Sequence, residues 1–291
     1  MLDEIICEVI DCSIHFENQG YFKTATQIVS LAKLVDEKKI SSIKEIIEET
    51  FKIAKTFCYE FAQSSSIGKS FRKRCYIQTQ EIIFTTLLSV DSNKLVLSPE
   101  LSQFAEKMNN SDRSINPMSA SMSDLFRKQN KTFEEKINLF SQACFTYQIA
   151  LEGIFSQVIK QLYGLMCVAN GKTPVYANND TSAVWNVFHN FEKDFGFELV
   201  AIENWPEKSS LRNAIAHAQA QYDPILDLTH FHTQDLKTGQ TTYEKDMSFN
   251  EFFTIWMEVA DAIDSLRYSI RLYGILQSLI HAHLKISKRQ S

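Results

Sequence analysis

Glycine and proline are scarce in this 291-residue chain, at 8 and 5 residues. So few breakers exclude a turn-dense β architecture and favour long helices. Charge of one sign is lacking too. Lys and Arg number 30 against 35 Asp and Glu, for a net −5, so the chain has no overall electrostatic footprint for nucleic acid and any RNA contact has to be local. The one compact basic cluster, Lys69, Arg72, Lys73 and Arg74, reads as a solvated helix face. The six cysteines, at positions 7, 12, 58, 75, 144 and 167, contain no C-x-x-C pair. Zinc and thioredoxin chemistry thereby lose their support, and scattered reduced thiols fit a cytoplasmic protein.

Other signatures are missing as well. The chain holds no Gly-rich phosphate loop, no H-E-x-x-H, no G-x-S-x-G and no EF-hand loop, which removes the usual basis for nucleotide hydrolysis and for serine or zinc hydrolase chemistry. No cofactor and no metal are called for. Met1-Leu2-Asp3-Glu4 opens without the basic and apolar regions of a signal peptide. The most apolar long stretch, about 140–169, is interrupted by Gln142, Gln148, Glu152, Gln157, Lys160 and Gln161. That pattern is an amphipathic buried helix and not a membrane span. No internal repeat argues for a solenoid.

What is present is 44% hydrophobic and 22% charged residues, the balance of a globular protein long enough for two ordinary domains or one large helical one. Residues 2–63 interleave charges with Ile and Leu at spacings of three and four, which predicts helices, and a further helix is expected over about 69–89. Segment 91–131 loses the pattern and turns polar and small. The division expected is an N-terminal helical region over 1–110, a polar linker over 111–131 and a helical domain over 132–291. Thr132 followed by Glu135 is a candidate capping box for a helix running to about Val168. A helix bearing Val184, Trp185, Phe188, Phe191 and Phe195, stopped by Gly196, comes next. Residues 225–247 read as a β-hairpin around Lys237-Thr238-Gly239-Gln240. A long closing helix over about 248–285 places Phe252, Trp256, Val259, Ile263, Leu266, Ile270 and Tyr273 on one seam, which has to pack against another helix of the bundle or of a second subunit. The fold class is mainly α: a helical bundle with a small β-hairpin inserted before the long C-terminal helix.

One stretch points to chemistry: Ser209-Ser210-Leu211-Arg212-Asn213-Ala214-Ile215-Ala216-His217-Ala218. On a helical wheel at about 100° per residue, Leu211, Ala214, Ile215 and Ala218 fall in one arc and Arg212, Asn213, Ala216 and His217 on the other side. Ser209 or Ser210 is the expected cap, which would put Arg212 in the first turn, where free N–H groups favour a phosphate. The alternative is a solvated face with Arg212 paired to a carboxylate such as Glu207 or Asp223.

This Arg-polar-x-x-x-His stretch resembles the R-x(4–6)-H signature of the HEPN superfamily, whose active members are metal-independent ribonucleases. The order of elements over about 132–286 is similar to that family's: a long helix pair, a motif helix, a variable hairpin and a long closing helix. Residues 1–110 match no family pattern. The resemblance implies an endoribonuclease in which His217 carries protons, Arg212 holds phosphate oxygens and Asn213 orients His217 or the phosphate. It also implies a composite site made by two motifs across a homodimer, since the chain has a single copy. RNA is then the substrate, a regulatory protein or a nucleotide the activator, and a prokaryotic anti-phage defence or toxin system the setting. Some members carry a Tyr two residues after the His for modification by an antitoxin; here Gln219 stands there. His230 and His232 form an H-x-H with no carboxylate or Cys at useful spacing and read as a surface pair, as do His281 and His283 at a helix end. His189 reads as a packing residue beside the Phe-rich stripe.

Overall fold

A computed structural model describes residues 4–63, 69–87, 110, 113, 117–118, 121–172, 193–196, 198–235 and 237–288. The order is α1 (Glu4–Asn18), α2 (Phe22–Asp36), α3 (Ile43–Gln63), α4 (Lys69–Leu87), α5 (Phe133–Ile149), a π-helical turn (Ala150–Phe155), α6 (Ser156–Ala169), a 3₁₀ turn (Val200–Ile202), α7 (Trp205–Ala216), β1 (Ala220–Asp223), β2 (Leu228–Gln234), β3 (Thr241–Ser248) and α8 (Phe249–Lys288). The fold is mainly α, with a small antiparallel sheet ahead of the long C-terminal helix. Of the expected helix bearing Val184 to Phe195, residues 184–191 with His189 lie outside the described residues, while 193–195 are helical ahead of Gly196. Of the expected linker over 111–131, residues 111–112, 114–116 and 119–120 lie outside, and 121–127 are helical where a linker is expected.

The chain forms two compact units, and both are discontinuous: Met1–Val96, Leu165–Thr173 and Asp264–Ser291 make one, Leu97–Gly164 and Pro174–Ile263 the other. α8, 40 residues long, gives its part up to Ile263 to the second unit and the rest to the first.

In the first unit, α3 buries Ile46, Thr50, Ile53, Ala54, Phe57 and Phe61, the face that a 3.6-residue period selects. Phe57 is the centre of an aromatic cluster, with ring centroids 4.7 Å from Tyr268, 4.9 Å from Tyr21 and 5.1 Å from Phe61. Glu60 accepts the backbone N–H groups of Lys23 and Thr24, both at 3.0 Å, so a carboxylate satisfies the N-terminus of α2. The basic cluster divides where α4 packs. Arg72 is buried, donates to the Phe61 carbonyl at 3.1 Å and lies over the Phe61 ring at 4.3 Å, while Lys73 and Arg74 are exposed. A solvated face was expected for all of it; the aromatic wall of α3 recruits one of its cations instead.

In the second unit, α5 begins with the full capping box: Glu135 N–H donates to Thr132 Oγ1 at 3.2 Å and Thr132 N–H to Glu135 Oε2 at 2.9 Å. α8 starts the same way at Ser248 and Glu251. The core gathers Phe140, Tyr147, Phe155, Phe231 and Phe252, with Phe155 stacked on Trp205 at 5.5 Å and Phe231 at 5.1 Å from Phe252. The expected hairpin is a three-stranded sheet in the order β1-β2-β3, with β2 antiparallel to both neighbours. Ile225 and Leu226, expected in a strand, form the turn between β1 and β2. β2 alternates, burying Thr229, Phe231 and Thr233 and leaving His230 and His232 half-buried on the other face. No helix among the described residues is long and apolar enough to cross a membrane.

Candidate active site

The motif helix is α7, and it starts earlier than its serines suggest. Asn204 is the N-cap, in the left-handed region at φ 58° with no side-chain cap bond, and Pro206 occupies the first turn. A proline there loses no hydrogen bond, because the first N–H groups of a helix have no partner within it. Ser209 and Ser210 therefore lie inside the helix. Arg212 sits in its second half, which removes the helix N-terminus as its phosphate site. The buried face is Trp205, Lys208, Leu211 and Ala214, a strict spacing of three. Leu211 and Ala214 face inward as the wheel requires, but Ala218 does not belong to that arc: it lies past the helix end at φ 56° and is exposed.

His217 is the C-cap, exposed, with its N–H donating to the Asn213 carbonyl at 3.0 Å. Ala218 N–H donates to the Ile215 carbonyl at 3.0 Å and Gln219 N–H to the Ala214 carbonyl at 2.7 Å, the paired bonds of a Schellman ending. The chain leaves this turn straight into β1, so the imidazole sits on a fixed backbone between helix and sheet.

Arg212 and Asn213 are half-buried. The Arg212 guanidinium makes its ion pair with neither suspected carboxylate. Its Nη1 lies 3.3 Å from Glu152 Oε1, and Glu152 projects from the π-helical turn between α5 and α6. A π turn widens the helix locally, shifts the phase of the side chains that follow and is frequent at functional sites. In the sequence Glu152 is only a polar interruption of an apolar stretch. A lone acid in such a stretch was the available signal, but nothing near it in the sequence announces the partner. Glu207 pairs instead with Lys245, and Asp223 accepts backbone N–H groups in its own turn.

Beneath the motif lies a second cation that the sequence did not reveal. Lys208, 1% exposed, donates to the Glu203 carbonyl at 2.7 Å and lies 3.2 Å from Glu258 Oε2 on α8. Its own carbonyl accepts the Tyr147 hydroxyl at 2.9 Å. Burial raises the Tyr147 phenol well above its ordinary range, with nearby Tyr243, Glu207 and Glu258 adding to the effect. That hydroxyl is therefore a fixed donor that locks α7 to α5.

The chain matches no family model, no curated protein and no solved structure. What the site can do rests on its own side chains. The structure brings Arg212 and Glu152 together, leaves Asn213 half-buried on the same helix and sets His217 at that helix's exposed end; no hydrogen bond or ion pair joins Arg212 to His217 among the described residues. Neither the His230–His232 pair nor any other His, Cys, Asp or Glu group among the described residues is arranged to hold a metal ion. The pair nevertheless gains carboxylates through strand register: His230 Nδ1 lies 2.5 Å from Asp246 Oδ1 and its Nε2 3.8 Å from Glu244 Oε1, both on β3. Spacing along one strand could not show partners that arrive from the next.

Proposed function

We propose that this chain is a metal-independent endoribonuclease whose site is completed across a homodimer, acting in a prokaryotic anti-phage defence or toxin system. The observation that carries the reading is that one short helix bears both a held guanidinium, Arg212, and an exposed imidazole at its end, His217. RNA transesterification needs the 2′-hydroxyl deprotonated, the leaving 5′-oxygen protonated and the phosphorane charge neutralised. His217 faces solvent, where an RNA backbone can approach, and an imidazole can both accept and donate the protons these steps move. Arg212 supplies a forked, permanently charged donor for the phosphate oxygens. Its bond to Glu152 fixes the guanidinium before substrate arrives, and a phosphate at the free side of the fork shares it with that carboxylate. Asn213, one residue on, orients the imidazole or a phosphate oxygen. One imidazole serves one proton transfer at a time, so the second His217 comes from a second copy, and a nucleotide or regulatory protein gates the pair.

Glu152 also favours a second reading. A guanidinium already neutralised by a carboxylate is a common structural tie, and on that basis the chain is a non-catalytic helical module that binds RNA, a nucleotide or a protein partner. One experiment separates the two. Wild type and His217→Ala are incubated with mixed-sequence RNA in excess EDTA, and the ends of the products are analysed. The cleavage reading expects 2′,3′-cyclic phosphate and 5′-hydroxyl ends from wild type and at least about a hundredfold slower cutting by the variant, the usual scale of a lost general acid or base. RNA bound equally by both proteins and cut by neither would leave the binding module as the function.

A further inference from the structure

The turn between β1 and β2 carries the two most exposed large hydrophobic side chains of the described residues, Ile225 at 81% and Leu226 at 70%. It is not a loose tip. The N–H groups of Ile225 and Leu226 donate to Asp223 Oδ1 at 2.8 and 3.1 Å, and the Tyr222 hydroxyl donates to Asp227 Oδ1 at 2.7 Å. Lys136 Nζ donates to the Pro224 carbonyl at 2.7 Å. Two aliphatic side chains held in water on so tied a turn are a preorganised knob, which loses little conformational freedom on docking.

Beside the knob is a hole. A cleft of about 320 Å³ is walled by Phe126, Leu139, Tyr222 and Phe249, with Lys131 and Lys136 at its polar side. Both ammonium groups are held by carbonyl oxygens, Lys131 by those of Phe126 and Lys128 and Lys136 by that of Pro224, and neither has a carboxylate partner among the described residues. The knob is flanked by the two acids Asp223 and Asp227. An apolar pair with acidic flanks thus stands next to an aromatic cleft with cationic edges, and Tyr222 and Asp227 belong to both. The turn cannot fill its own cleft, because the pairing of Asp223 with Leu228 fixes both its ends.

We propose that the Ile225–Leu226 turn docks into this cleft on a second copy of the chain, and reciprocally. A single two-fold rotation satisfies both contacts, since knob and hole are neighbours on one surface, and the contact is therefore closed and isologous. The charge pattern selects a copy of this chain over a lipid surface or an unrelated partner: each hole carries two ammonium groups, Lys131 and Lys136, against one carboxylate of its own, Asp227, and meets a knob that brings two carboxylates. The patch is small, so the dimer forms in the micromolar range and weakens with salt.

Sedimentation equilibrium of the full chain across the micromolar range tests this, beside Ile225→Asp/Leu226→Asp. The substitutions sit on exposed side chains, and the far-ultraviolet dichroism of the variant checks that the fold is kept. Dimeric wild type and an at least tenfold weaker association of the variant are expected, together with concentration-dependent slowing of amide exchange at Phe126–Lys131 in wild type alone. Wild type that stays monomeric throughout, or a variant that associates as wild type does, overturns the interface, the former leaving the turn to a membrane or an unrelated protein. The readout is mass and not cleavage. A monomeric variant that still cuts RNA would uphold this contact and remove the dimer from the cleavage reading.

Discussion

His15, on α1, lies against Tyr268, with ring centroids 5.8 Å apart. Burial, with Arg271 and Arg267 adding positive charge nearby, holds its imidazole down at about 4 against an ordinary 6.5. The unfolded chain has no such surroundings, so between those two values it binds a proton that the folded protein does not. Stability tied to His15 is complete above about pH 6.5 and drains away as pH falls towards 4. Urea unfolding at several pH values in that window should give midpoints that fall on acidification, with a shallower fall for His15→Gln. Equal slopes for the two proteins would mean that burial and the neighbouring arginines do not hold this imidazole down. The same lesson in residue-scale packing comes from Arg72: it and Lys73 are identical in charge and adjacent in sequence, yet one is buried over Phe61 and the other solvated.

At the scale of the element, the end of α7 holds the clearest local strain. Its Schellman turn needs a left-handed residue immediately after the cap, and that position is Ala218. A side chain with a β-carbon disfavours that conformation by about 1 kcal/mol, which glycine avoids. Ala218→Gly should raise stability by about 1 kcal/mol in chemical denaturation while keeping His217 where it is, so RNA cleavage is unchanged. A loss of stability would show that the turn is not strained. Elements of this kind differ in how far the sequence reveals them. Thr132 with Glu135 announces α5, and the spacing of Phe252, Val259, Ile263 and Leu266 announces α8, because local bonds and a repeated apolar face are written in neighbouring residues. β1 is only Ala-Gln-Tyr-Asp, four residues whose alternation of half-buried Ala220 and Tyr222 with exposed Gln221 and Asp223 is too short to mark a strand, and it exists because β2 offers it a free edge. The true start of α7 at Trp205 was hidden because Asn204 caps by backbone conformation alone. Glu152 was the least legible of all: its role depends on a π turn aiming it at a residue 60 positions away, and no local pattern encodes that meeting.

For the whole molecule, the decisive quantity is how many motifs one act of cleavage consumes. Arg212, Asn213 and His217 occur together once per chain, and a single imidazole cannot both remove the 2′-hydroxyl proton and protonate the leaving oxygen in one step. If two copies share a cleft, a dimer with one His217→Ala subunit lacks half of its acid/base pair and is inactive. Wild type and variant that exchange subunits freely at equal concentration then leave about a quarter of the dimers intact, where independent sites would leave about half of the motifs working. Cleavage rate against the fraction of wild type should therefore follow a square and not a straight line. A linear dependence, with both proteins shown to mix, would assign the whole reaction to one subunit. The proton duties would then have to be divided within a chain, with Glu152, the carboxylate beside Arg212, as the group in position to take the second of them.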